Sequence, residues 1–123
     1  MNVVDSSGWI EFLRDGKNAD FFEKPLRLTG DLLVPSICVF EVKKTIRRTA
    51  GVVEAENAMV AMRQGRIIDL DIDLANLATE LSLTHALAMA DSVILATARL
   101  HKAVLWTQDS DFKKLRGVRY VAA

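Results

Sequence analysis

Two short stretches of this chain, Leu32-Leu33-Val34 and Val104-Leu105-Trp106-Thr107, are apolar at consecutive positions rather than at every second one. Successive side chains of a strand point to opposite faces, so a strand with one wet face alternates apolar and polar residues. Strands without that alternation must be covered on both sides, the pattern of a parallel sheet flanked by helices.

The rest of the chain supplies the helices. A brief apolar strand opens the sequence and ends in Asp5. Ser6 and Ser7 offer an N-cap to a short helix carrying Trp9, Ile10, Phe12 and Leu13, which Gly16 ends. Phe21 and Phe22 lie in a second short helical piece, and Pro25 and Pro35 punctuate short elements. Pro35-Ser36 marks the switch from the Leu32–Val34 strand into a longer helix, striped by Val39, Val42 and Ile46, that runs to about Ala50 before Gly51. Another helix covers Val52 to about Gln64, and Arg66–Leu70 is a third strand. Leu74, Leu77, Ala78 and Leu81 recur with the helical period, and Ala90–His101 is helical and apolar almost all round. Tyr120-Val121 forms a short last strand. The expected fold is α/β, with one unit spanning residues 1–123, the length of an ordinary domain.

Sixteen basic and sixteen acidic residues cancel, so any affinity for nucleic acid must come from local patches rather than net charge. The lone Cys38 excludes an internal disulfide and a cysteine-based zinc site, and it suits a reducing cytoplasm. The N-terminus lacks the pattern of a targeting signal, and the longest apolar run, Val93–Ala98, is broken by Thr97 and too short for a bilayer. A cytoplasmic protein without a membrane segment is expected.

In open α/β sheets, function collects outside the carboxyl ends of the strands. Four acids fall there: Asp5 after the first strand, Glu41 in the first turns of the helix leaving the second, Asp91 in the first turn of its helix, and Asp109 two residues past Thr107. Each also has a plainer role. Asp5 can end a strand and cap a helix, and Asp91 can act as an N-cap. Glu41 lies opposite the Val39/Val42/Ile46 stripe, where a helical glutamate is usually solvated. Asp109 sits in a turn that Asp111 could cap. Joint placement, more than any one position, points to chemistry.

These residues resemble the PIN-domain family. Val4-Asp5-Ser6-Ser7, the glutamate in Val39-Phe40-Glu41-Val42, the aspartate in Met89-Ala90-Asp91-Ser92-Val93-Ile94 and the Thr107-x-Asp109-x-Asp111-Phe112 turn match it in order and spacing along the whole chain. The nearest resemblance is to VapC-type toxins of toxin–antitoxin pairs. It implies a three-layer α/β/α sandwich with a short, mostly parallel central sheet. It also implies a homodimeric, metal-dependent endoribonuclease held in check by a VapB-like antitoxin. Asp5, Glu41, Asp91 and Asp109 become the catalytic, metal-binding quartet; Thr107 and Ser7 or Ser6 become polar supports, and Asp111 an accessory acid.

Carboxylates gathered within a few ångströms repel unless they take up protons or a cation neutralises them. Oxygen donors without His or Cys select Mg²⁺ or Mn²⁺ over zinc. Such ions can activate water for in-line phosphodiester hydrolysis without a side-chain general base, leaving a 5′-phosphate and a 3′-hydroxyl. His85 and His101, both near helix ends, are read as structural or surface residues. Lys43, Lys44, Arg47 and Arg48 follow Glu41 on one helix; Lys44, Arg47 and Arg48 are candidates for gripping RNA phosphates, and a solvated helix face is the alternative. Lys113, Lys114, Arg116 and Arg119 form a second basic group, while Trp9, Trp106 and Cys38 read as core. Rival readings are a structure-specific DNA nuclease on the same scaffold, a toxin-like protein that only binds an antitoxin, and a receiver-like binding domain with its acceptor near Asp69–Asp71. The last lacks a Lys directly after Val104–Thr107.

Overall fold

In the computed structural model, which describes residues 1–123, five strands form one parallel sheet. They are β1 (Asn2–Val4), β2 (Leu32–Pro35), β3 (Arg66–Ile68), β4 (Val104–Thr107) and β5 (Val118–Tyr120), in the order β3-β2-β1-β4-β5. Val3 and Val4 are fully buried, as are Leu33 and Val34. Neighbouring residues of a strand face opposite ways, so both faces of the sheet are covered, as the missing alternation predicts.

Six helices do the covering: α1 (Ser6–Leu13), α2 (Ala19–Arg27), α3 (Ser36–Ala50), α4 (Val52–Met62), α5 (Ile72–His85) and α6 (Met89–Leu100). Helix α6 packs against β1, β2 and β4 and buries every residue from Ser92 to Ala98, which explains why it is apolar nearly all round. Helices α1 and α2 pack on β4 and β1 respectively. From β1 the chain steps outward to β2 and β3 through α1–α4, then returns through α5 and α6 to β4 on the other side of β1. The direction reverses between β1 and β4, and at such a switch point a crevice opens beyond the strands' carboxyl ends.

The α/β class holds, and several local expectations change. The cap of α1 is Asp5 rather than a serine: its Oδ1 accepts from the Gly8 amide at 2.9 Å. Helix α1 stops at Leu13, and the left-handed residue after it is Asp15 (φ 52°), not Gly16, whose amide donates to the Glu11 carbonyl. Pro25 lies inside α2 with its ring buried, so the Phe21 carbonyl lacks a helical donor there. Strand β3 ends at Ile68, two residues short of the expected Leu70, because Asp71 caps α5 by accepting from the Leu74 amide. The last strand begins earlier, at Val118. Since β3 lies at the sheet edge, Asp69 is far from the central strands, and the receiver-like alternative loses the central acceptor position it needs. No single helix is long and apolar enough to cross a membrane.

Gly8 brings α1 close to the core. A Cβ there would lie 2.5 Å from Phe22 Cε1 and 2.7 Å from Val4 Cγ1, both in buried side chains. Gly8→Ala should therefore destabilise the fold by about 1–3 kcal/mol despite alanine's better helix propensity. Urea denaturation measures this; an unchanged midpoint would mean that α1 is not seated so tightly.

Candidate active site

Asp5 directly follows β1 and is 3% exposed. Its two oxygens are held by three donors. Oδ1 accepts from Ser7 Oγ at 2.8 Å and from the Gly8 amide; Oδ2 accepts from Thr107 Oγ1 at 2.5 Å. Thr107 ends β4, so this last bond ties the carboxyl ends of the two strands at the switch point. Thr107 Oγ1 in turn accepts from the Asp109 amide at 2.9 Å, and Asp109 Oδ1 accepts from the Asp111 amide at 2.9 Å. That final bond caps the short turn Ser110–Phe112, which buried Phe112 anchors to the core. The cap of this turn is thus Asp109, leaving the Asp111 carboxylate free to turn elsewhere.

Asp91 is the third residue of α6. The cap position belongs to Ala88, so Asp91 does not serve as an N-cap. One oxygen from each of Asp91, Asp109 and Asp111 lies within 4.8 Å of the other two. Asp111, expected only as an accessory acid, belongs to this converging trio, while Asp5 and Glu41 stand outside it. Glu41 is half-buried rather than free in solvent, and its Oε1 accepts from Ser6 Oγ at 2.6 Å. The two serines thus divide the work that the sequence leaves undivided: Ser6 holds Glu41 and Ser7 holds Asp5.

All five acids share one electrostatic environment. Asp91 is pushed up to about 6, first by burial and then by the charges of Asp109, Asp5, Glu41 and Asp111. Asp5 is also pushed up to about 6 by burial and by Asp109, against the lowering pull of its bonds from Thr107, Gly8 and Ser7. Burial drives the Cys38 thiol far above its ordinary range, with Asp5, Glu41 and Asp91 adding to the effect. It behaves as a core residue.

An all-oxygen donor set of clustered carboxylates fits a hard divalent cation such as Mg²⁺ or Mn²⁺. Neither histidine belongs to this group of converging donors. His85 ends α5, and His101 follows α6 at the end remote from Asp91, roughly 15 Å along the helix. Trp9 and Trp106 are buried, and Trp106 Nε1 donates to Asn2 Oδ1, so both are core. Lys44, Arg47 and Arg48 are exposed and form no ion pair, whereas Lys43 pairs with Glu56 at 3.0 Å. In the second basic group, Arg119 lies over the Trp106 ring and Lys113 over Tyr120. Phe40, beside Glu41, is 60% exposed; its position outside the apolar stripe of α3 is the sequence signal for that exposure.

A family model for the PIN domain matches residues 3–118. No curated protein matches the chain by sequence. Among solved structures, a toxin–antitoxin complex from Klebsiella pneumoniae is similar, with a TM-score of 0.81 at 23% identity, covering 97% of this chain and 96% of the other. VapC20 from Mycobacterium tuberculosis, a sarcin–ricin loop cleaving toxin, is similar with a TM-score of 0.80 at 20% identity over 96% and 97%. DNA-bound VapBC from Salmonella typhimurium follows the same path, with a TM-score of 0.78 at 15% identity over 98% and 96%. At these identities the likeness speaks for the fold.

The clustering has a measurable consequence in metal-free protein. Asp91 binds its proton more tightly folded (about 6) than at its ordinary value of 3.8. Its contribution to stability is therefore present below about pH 4 and lost as pH rises through 6. Asp91→Asn removes that loss. With chelator present, its melting temperature should match the parent's near pH 4 and exceed it by roughly 2–6 °C at pH 7.5. A difference that does not grow with pH would contradict the crowding of charge around Asp91.

Proposed function

This chain belongs to the PIN-domain family, and from that premise we propose that it is a Mg²⁺- or Mn²⁺-dependent endoribonuclease, the toxin of a toxin–antitoxin pair. The carrying observation is the meeting of Asp91, Asp109 and Asp111 at the switch point, with Asp5 and Glu41 close enough to raise Asp91 further. In this reading Asp5, Glu41, Asp91 and Asp109 are the catalytic, metal-holding acids. Asp111 completes the trio, and Ser6, Ser7 and Thr107 fix the carboxylates of Glu41 and Asp5 in place. When bound, a divalent cation supplies activation of water and neutralisation of charge on the scissile phosphate. The chain's own part is to keep several carboxylate oxygens aimed at one point, so that little reorganisation accompanies binding. Lys44, Arg47 and Arg48 hold the RNA backbone against the repulsion of the acids.

RNA as substrate is supported by the likeness to a toxin that cleaves the sarcin–ricin loop. A VapB-like antitoxin partner is supported by the likeness to toxin–antitoxin complexes. We further propose one catalytic unit over residues 1–123, acting as a homodimer in the cytoplasm.

Matched RNA and DNA strands incubated with the purified chain and Mn²⁺ or Mg²⁺ test the reading. RNA should be cut to 5′-phosphate and 3′-hydroxyl ends, and Asp91→Asn or Asp109→Asn should lower the rate at least about 100-fold, equivalent to several kcal/mol of lost charge stabilisation. Preferential cutting of DNA would transfer the assignment to the DNA-nuclease alternative. Full activity in both variants would mean that the chemistry lies elsewhere. In a host, the parent chain should arrest growth and Asp5→Asn should not; normal growth at high expression of the parent counts against a toxin.

A further inference from the structure

Helix α3 carries Phe40, Lys43, Lys44, Arg47 and Arg48 at spacings of three, four, seven and eight residues from the first, which places all five on one face. With Val39 they line a shallow groove of about 430 Å³. A neighbouring depression of about 320 Å³ shares Phe40, Lys44 and Arg48 with this groove and adds Glu41. The groove therefore reaches Glu41, one of the acids whose charge acts on Asp91. The stripe spans the nine residues from Phe40 to Arg48, about 12 Å along the helix.

The chemistry of this face is specific. Phe40 is 60% exposed, and Lys44 Nζ stands 5.5 Å from the centre of its ring. Lys44, Arg47 and Arg48 have no carboxylate partner. An acidic peptide would need only the cations. A flat aromatic surface set among unpaired cations suits a polymer that alternates anionic phosphates with planar bases. We propose that Phe40 is a base-stacking platform for single-stranded RNA, which seats a nucleotide next to the scissile phosphate while Lys44, Arg47 and Arg48 hold the flanking backbone. This deepens the ribonuclease reading and rests on it for the identity of the polymer. It assigns Phe40 a positioning role that is separate from metal holding.

Binding of a short single-stranded RNA is measured in chelator, where no cutting occurs. Phe40→Ala and Phe40→Leu should each bind roughly 5- to 30-fold more weakly than the parent, with unchanged melting temperatures. Phe40→Trp should bind like the parent, and the emission it adds to that of the buried Trp9 and Trp106, taken as the difference from the parent protein, reports on the groove. RNA should quench that emission, and the same strand with abasic riboses should not. The platform is overturned by parent-like binding in the Ala and Leu variants, by no binding of RNA to the parent, or by an abasic strand or polyglutamate that binds and quenches as well as RNA. Cleavage with Mn²⁺ is scored separately. An active parent whose Phe40→Ala variant binds RNA and cleaves it equally well refutes the platform and leaves the nuclease standing. A parent that stacks RNA on residue 40 yet never cuts it refutes the nuclease alone.

Discussion

Thr107 Oγ1 donates to Asp5 Oδ2 across the boundary between β4 and β1 and accepts the amide of Asp109 with the same atom. That hydroxyl fixes three things together. It sets the ends of the two central strands relative to each other, stabilises a buried carboxylate that desolvation opposes, and starts the turn that presents Asp109 and Asp111. A buried acid without such donors would be costly, since burying a charge is tolerated only with compensating hydrogen bonds. Here Asp5 has three. The sheet's order makes the arrangement possible, because at the switch point the chain leaves β1 toward β2 and leaves β4 toward β5, in opposite directions along the sheet, and this leaves room for side chains.

Around this bond, charge is concentrated against its own preference. Asp91 enters from α6, whose apolar flank is packed on three strands, so it cannot easily withdraw from Asp109 and Asp111. Glu41 enters from α3 and is held by Ser6. Rigid elements thus hold close to each other groups that would separate if free. Under the proposed nuclease function, a divalent cation would relieve this repulsion, and the same preorganisation would suit a phosphodiester substrate whose own charge must be neutralised.

Much of this was legible in the residues. Unalternating strands required a sheet covered on both faces, and the acids after β1 and β4 followed from where such sheets place function. Other features depended on contacts distant in sequence. Glu41 reads as solvated because periodicity sees only its own helix, while Ser6 approaches from α1. Asp111 reads as a turn cap because a local pattern cannot tell that the Asp109 side chain takes the capping role. By its sequence position Asp5 suits a strand end, a cap or a ligand, and these roles are compatible: it caps α1 while its charge acts on Asp91. In the sequence a single phenylalanine in a helix is ordinary; it is exposure beside unpaired cations that marks Phe40 out.

On the proposed function, these carboxylates form one binding centre for a divalent cation. Titrating the chain with Mn²⁺ and following the spectrum of the free ion by electron paramagnetic resonance addresses it without reference to activity. The parent should remove Mn²⁺ from solution saturably, and a variant with Asp91, Asp109 and Asp111 all changed to Asn should leave it free at the same concentrations. Equal uptake by the two proteins, or none by the parent, would contradict the assembly of these side chains into a metal centre.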